Sequence, residues 1–298
     1  MSKLQPAYVG LYLLASLLTA CRTPAPPWHT DLDRAKSFQA LATTNHEAWQ
    51  RSSTLKRRTA ILIKGSRMTE VAAKDGTLAI HLVPETDGAV SWGHAVAIAS
   101  DGYLLTSAHC ADSTVLSLIY WDGRTGKVAT PRIVARLLHS DQAMDSVLLH
   151  IDAILPETFE WAAESDVQKG GRVLAIGSTS IAWKDASWGF VQLTCTAGHI
   201  ASRRRSADNG IILFGDLPAR AGDSGGPVTT VAGKLLGVHA GTEVNRLGIT
   251  RSVALRPDLL RLEQLIARDR ASHEIGSVSQ PPNVVETNKT IGLTIKLF

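Results

Sequence analysis

Gly222-Asp223-Ser224-Gly225-Gly226-Pro227 is the stretch on which the reading of this chain turns. A serine between glycines on a tight turn presents its hydroxyl with backbone N–H groups crowded beside it. Glycine accepts φ > 0 and lets the main chain approach a bound group closely. A nucleophile with an oxyanion hole needs that arrangement. A Gly-Ser-Gly turn alone is common in loops, whereas the six-residue string is far more restrictive. Around it, 298 residues that are 44% hydrophobic can bury a sizeable core in one domain or two. The 24 glycines, with short Val/Ile/Leu runs between turn residues, point to a β-rich fold. A net charge of +4 is mild for this length; it suits an acidic partner or a membrane surface without requiring either. No repeat at a solenoid period and no low-complexity block is present.

Upstream, Thr77–Val83 reads as a strand, and His94–Ala99, Ser100-Asp101-Gly102 and Tyr103–Thr106 read as a hairpin with its turn. The hairpin delivers Thr106-Ser107-Ala108-His109-Cys110. A lone histidine is commonly structural, but one that follows a hairpin and precedes the serine loop fits the general base of a triad. The third member is a carboxylate that orients the imidazole and stabilises its cation. Asp145 stands directly before the apolar run Ser146–Ile151, where a strand edge can bury and fix it, while Asp141 reads as a loop residue.

The order His109, Asp145, Ser224 is that of the chymotrypsin-like enzymes and differs from the subtilisin and α/β-hydrolase orders. These segments resemble the trypsin-like serine proteases, and most of all the protease domain of bacterial HtrA/Deg-type enzymes. Asp101–His109 is similar to their Asp-Gly-Tyr-Leu-Leu-Thr-x-Ala-His run, Asp145–Leu149 to Asp-x-Ala-Leu-Leu with Val147 in place of Ala, and Glu164–Gly177 to their inter-barrel segment. The resemblance covers about Val71 to Leu262. It implies an all-β fold of two antiparallel six-stranded β-barrels with a C-terminal helix and a cleft between the barrels. It further implies a serine endopeptidase working through an acyl-enzyme, with His109, Asp145 and Ser224 catalytic and the N–H groups of Gly222 and Ser224 as oxyanion hole.

By the same resemblance Ile211–Gly215 is a strand leading into Asp216–Ala221, one wall of the S1 pocket, and Lys234–Gly241 lines the other side. Ala219, His239 and Gly241 are the S1 residues. His239 in Gly-Val-His-Ala-Gly is similar to the S1 histidine of glutamyl-specific proteases, yet Ala219 stands where those carry Ser or Thr. A Glu/Gln and a small aliphatic P1 residue therefore both stay open, while Pro218, at the place of a trypsin-type acid, argues against Lys or Arg. Asp223 matches the aspartate that pairs with a newly cut N-terminus in the zymogen-activated branch. No Ile-Val-Gly-Gly-like start exists here, so a buried Asp223 needs another partner, and Arg220 is the neighbouring cation. Val191–Ile200 opens the second set of strands, with Arg203-Arg204-Arg205 expected in a solvated hairpin loop. Cys110 and Cys195 are expected as buried thiols without a disulfide.

Lys3, the apolar run Ala7–Ala20 and Leu18-Thr19-Ala20-Cys21 form a short hydrophobic segment ending in a cysteine. It resembles a bacterial lipobox, which makes residues 1–20 a lipoprotein signal peptide, Cys21 the lipidated residue, and the envelope, with outer-membrane sorting from Arg22, the expected location. Residues 21–70 read as a tether and helical spacer: Thr23–Pro27 is extended and Asp31–Arg51 helical. Lys56-Arg57-Arg58 has no aromatic platform beside it and reads as a solvated face or a lipid-headgroup contact. Residues 71–271 form the protease domain, closing on the strand Ile249–Leu255 and a helix begun by Arg256-Pro257-Asp258. Its apolar stripe is Leu259, Leu260, Leu262, Leu265 and Ile266. Residues 272–298 are a tail too short for a PDZ domain. No cofactor or metal is expected, since no His-Glu-x-x-His, Cys-x-x-Cys or Gly-rich nucleotide loop occurs. The expected partners are a protein or peptide substrate and a membrane through Cys21, with no nucleic acid; the oligomeric state stays open. The alternative reading is a catalytically silent peptide-binding lipoprotein using the same cleft.

Overall fold

A computed structural model describes residues 31–44, 46–74, 77–84, 91–123, 125–137, 146–178, 182–183, 188–191, 193–206, 209–244, 248 and 250–278. The signal segment with Cys21, both Asp141 and Asp145, and the tail from 279 onward lie outside the described residues.

Helices α1 (Asp31–Thr44) and α2 (His46–Arg57) come first. Strands β1 (Thr59–Lys64), β2 (Ser66–Lys74), β3 (Thr77–Pro84), β4 (Ser91–Ala97), β5 (Tyr103–Ser107), β6 (Leu116–Asp122), β7 (Thr125–Ala129), β8 (Arg132–Leu137) and β9 (Ser146–His150) follow. Beyond an irregular connection lie β10 (Arg172–Ser178), β11 (Ala182–Trp183), β12 (Trp188–Val191), β13 (Leu193–Arg205), β14 (Ile211–Gly215), β15 (Pro227–Thr230), β16 (Leu235–Val244), β17 (Thr250–Arg256) and helix α3 (Leu259–Val278). The second half closes into a six-stranded barrel, β10-β13-β14-β17-β16-β15. The first half is a seven-stranded sheet in the order β7-β6-β1-β4-β5-β9-β8, one strand more than expected. A further four-stranded sheet, β11-β12-β3-β2, was not anticipated. The expected hairpin is present, with Val96 opposite Leu105 and Ala97 opposite Leu104.

Several boundaries move. The start expected at residue 71 falls inside β2, and β1 is an interior strand paired with β4 and β6. Ala60-Ile61-Leu62-Ile63 is apolar without alternation because both faces of this strand are covered. The region read as a spacer also does more than space. Phe38, Leu41, Ala48 and Leu55 from α1 and α2 share a core cluster with Leu174, Leu235 and Leu255 of the barrel, and Ser37 Oγ accepts the N–H of Ala197 at 3.2 Å. Arg203, Arg204 and Arg205 are exposed as expected but belong to β13, opposite Leu213, Ile212 and Ile211, not to a hairpin loop. Arg204 lies over the Phe214 ring, and Arg205 pairs with Glu164. Cys110 and Cys195 are buried in separate core clusters with no disulfide between them.

Helix α3 runs past residue 271, the expected end of the domain. Asp258 caps it, its Oδ1 accepting the N–H of Arg261 at 3.1 Å. Leu262 and Ile266 are buried, whereas Leu260, read as part of the stripe, is 66% exposed. The helix is held against the first sheet by a polar seam. Asp269 accepts from Tyr103 Oη at 2.8 Å and from both Arg132 terminal nitrogens at 2.9 and 2.5 Å. Arg270 donates to Asp101 at 2.6 and 2.8 Å. The Arg132 bonds, and then the Tyr103 hydroxyl, hold the Asp269 carboxyl down at about 2. Burial, and then Asp269, push the Tyr103 hydroxyl up to about 12. His150, 4.6 Å from the Tyr103 ring, is held below the usual imidazole range by burial and by Arg132.

Both depressed groups make acid destabilising. A group whose folded value lies below its unfolded value contributes stability that is present above the unfolded value and lost as pH falls through the folded one. The Asp269 contribution should therefore disappear between about pH 4 and pH 2, and that of His150 should begin to fall below about pH 6.5. Asp269→Asn is expected to lower the melting temperature at about pH 7 by several degrees, and the deficit should close at about pH 2. Thermal melts of both proteins across that range are the check.

Candidate active site

His109 sits in a 3-10 turn, Ala108–Cys110, at the end of β5 and is partly buried. The two residues that lead into the turn are anchored to other strands. Thr106 Oγ1 donates to the carbonyl of His94 at 2.5 Å, and Ser107 Oγ, fully buried, donates to the carbonyl of His239 at 2.7 Å. The first bond stays within the first sheet. The second crosses to β16 of the barrel.

Ser224 is half-buried on a loop between β14 and β15 that two short turns shape: Asp223 N–H donates to Arg220 O at 3.1 Å and Gly226 N–H to Asp223 O at 3.0 Å. The loop is bonded to both halves. His94 N–H donates to Ser224 O at 2.8 Å, Gly225 N–H to His239 O at 2.7 Å, and His239 N–H to Gly226 O at 2.7 Å. The His239 carbonyl thus receives Ser107 from the histidine side and Gly225 from the serine side. The two loops also meet at Gly93, where a Cβ would lie 2.5 Å from Cys110 Sγ and 2.9 Å from Ser224 O.

The glycines of the serine loop are dictated by this crowding. Gly222 has φ +94° and a Cβ there would fall 2.5 Å from Trp92 Nε1. Gly225 has φ +79° and a Cβ there would collide with His94 O and Thr106 Oγ1. The Trp92 indole N–H is buried without an acceptor among the described residues. Asp223 is 5% exposed and its Oδ2 accepts the backbone N–H of Arg220 at 2.9 Å. The expected neighbour is therefore a partner through its main chain, while its guanidinium donates to Ser178 O.

Of the expected S1 residues, Ala219 and His239 are buried, His239 at 3% exposure, and they share a cavity with Leu217, Pro218 and Asp223. That cavity is about 10 Å³, room for about one water. Gly241 is half-buried and does not border it. A larger cavity of about 460 Å³ lies between α1 and the barrel, bounded by Leu41, Arg172, His199 and Pro218, and holds neither His109 nor Ser224. The position of Asp145 lies outside the described residues, but Ser146, which follows it, is paired with Ser107, two residues before His109. Ser107, Trp92 and Gly93 carried no signal as site residues in the sequence, because their partners lie far away along the chain.

Comparison with known proteins finds matches to part of this chain. The trypsin-like peptidase domain matches residues 93–238. A probable periplasmic serine endoprotease DegP-like from Hahella chejuensis is 29% identical over 158 residues, 51% of this chain and 30% of that protein. Its counterpart from Pseudomonas fluorescens is 30% identical over 155 residues, 51% and 29% of the two chains. The chain thus spans about 30% of the length of these relatives. A solved serine endoprotease from Yersinia pestis superposes with a TM-score of 0.48 at 21% identity, over 74% of this chain and 66% of that one.

The shared carbonyl makes a graded prediction for stability. Ser107→Ala removes one buried hydrogen bond and leaves Gly225 on the same acceptor, so a loss of about 1 kcal/mol, or about 2–4 °C in melting temperature, is expected. Gly225→Ala combines a left-handed φ with a collision against the His94 main chain and the Thr106 hydroxyl and should cost several times as much. Paired thermal melts would separate the two; equal effects would mean that the loop relaxes freely.

Proposed function

We propose that this chain, whose residues 93–238 are a trypsin-like peptidase domain homologous to DegP-like serine endoproteases, is a serine endopeptidase with His109, Asp145 and Ser224 as its triad. The observation that carries the reading is the convergence of Ser107 Oγ and Gly225 N–H on His239 O, which brings the histidine turn to the serine loop. Ser224 Oγ attacks the scissile carbonyl; His109 accepts its proton and returns one to the leaving amine. Asp145 orients His109, a role supported by the pairing of Ser146 with Ser107. The N–H groups of Gly222 and Ser224 receive the oxyanion, which one such donor stabilises by about 3–4 kcal/mol in other enzymes. The space against His239 holds about one water, so a small aliphatic P1 side chain asks for less movement of the 217–219 wall than a glutamate does.

The proposed setting is the bacterial envelope, with the chain held by acyl chains on Cys21. The sequence from Lys3 to Cys21 and the periplasmic descriptions of the relatives support it. No described helix is long and apolar enough to cross a membrane.

Two experiments test the reading. The full chain should be labelled by a fluorophosphonate probe and cleave an unbiased peptide library, and Ser224→Ala should do neither. A labelled, cleaving Ser224→Ala protein would overturn the triad, and an inert wild type would move the weight to a silent peptide-binding protein. Enrichment of Ala or Val before the cut is expected; Glu or Gln there would restore His239 as the acid-reading residue. Separately, radiolabelled palmitate should enter the wild type in a bacterial host and be absent from Cys21→Ser.

A further inference from the structure

The turn that carries His109 is too short to satisfy itself. Three residues in 3-10 geometry close a single bond of their own, Ala111 N–H to Ala108 O at 2.9 Å, and leave the following carbonyls without an intrahelical partner. Two cations from flanking strands take those places. Arg136 of β8 donates to Ala111 O at 3.2 Å. Lys64, the last residue of β1, donates from Nζ to the carbonyl of His109 itself at 2.8 Å and to Asp112 Oδ1 at 2.6 Å. The Lys64 side chain is mostly covered, at 23% exposure. The pair with Asp112, which is more than half exposed, stabilises little by itself. Its geometric effect is to hold the ammonium over the turn, where a charge-assisted bond fixes the peptide plane from which the imidazole projects.

We propose that Lys64 is a positioning residue for His109, with Asp112 holding the ammonium in place. The proposal rests on the endopeptidase reading, since it acts through the general base. Lys64 lies outside residues 93–238, so the chain brings this support from β1, in the region the sequence reading assigned to a spacer. Misplacing a reacting group by about 1 Å can cost up to about a hundredfold in rate, and a turn released from one of its two clamps should lose part of that.

The test uses the full chain and two readouts: the second-order rate of fluorophosphonate labelling at Ser224, which needs no peptide bound, and kcat and KM on fluorescein-labelled casein. Lys64→Met is expected to slow labelling about tenfold and lower kcat by a similar factor, with KM within about twofold of wild type. Lys64→Arg, which keeps a cationic donor, should return both to within about threefold. Asp112→Asn, at an exposed position, should give an intermediate loss and covers the case in which Lys64→Met fails to fold. Labelling of Lys64→Met at the wild-type rate would overturn the proposal. So would a rise in KM at constant kcat, or a failure of arginine to rescue in a protein of unchanged melting temperature. If wild type itself is not labelled, the endopeptidase reading falls and this inference with it; if wild type is labelled and only Lys64→Met is indifferent, the inference alone falls.

Discussion

A single acceptor, the main-chain carbonyl of His239, holds the two halves of the site in register. An sp² oxygen has two lone pairs, and here a buried hydroxyl from the first sheet and a buried amide from the serine loop fill both. In a low-dielectric interior an unsatisfied partner is costly, so the arrangement tolerates little slippage. The loop geometry follows from it. Gly225 must carry no side chain, because the chain at that point passes directly against His94 O and Thr106 Oγ1 on its way to His239. Ser224, one residue earlier, has its own carbonyl tied to the N–H of His94. The serine loop is therefore a bridge that both halves clamp.

Apolar burial supplies most of the cohesion around this bridge. One continuous cluster links Ile61, Ile63, Val96 and Leu105 of the first sheet with Leu174, Ile176, Val238 and Leu255 of the barrel, and the helices at the N-terminal end add Phe38, Leu41 and Leu55 to it. At about 1.5–3 kcal/mol per buried large aliphatic side chain, these contacts outweigh the exposed ion pairs, which contribute about 0–1 kcal/mol each. The seam under α3 differs from the exposed pairs. Asp269 is 12% exposed and takes a two-pronged Arg132 together with the Tyr103 hydroxyl, a geometry that fixes position as well as adding energy. It secures the His150 end of β9, the strand whose other end, Ser146, lies opposite Ser107.

The readable and unreadable parts of the molecule divide by the range of the forces involved. The turn preceding β5 and the glycine-rich serine loop were legible, because backbone conformations that demand Gly or Asp leave a local mark on the sequence. The strand β1 was passed over: its apolar run sits beside Lys56-Arg57-Arg58, and a strand covered on both faces lacks the alternation that advertises an exposed one. The basic triplet at Arg203 was read as a loop, yet the pairing of β13 with β14 carries it into the sheet, where one face is open to water and tolerates charge. Leu260 fits the helical stripe by spacing and still points outward, since burial depends on what lies opposite the helix.

The sequence by itself determined the chemistry on offer: a serine on a glycine turn, a histidine after a hairpin, an acid before an apolar strand, and a β-rich chain to carry them. Each of those depends on residues adjacent in the chain. Only the tertiary structure decided what supports them. Lys64 reaches the His109 carbonyl across 45 residues and Ser107 reaches the His239 carbonyl across 132, and bonds over such distances leave no spacing pattern to read. The same holds for the cavity beside Ala219 and His239, whose size is set by how three strands and a loop close around it rather than by any one side chain.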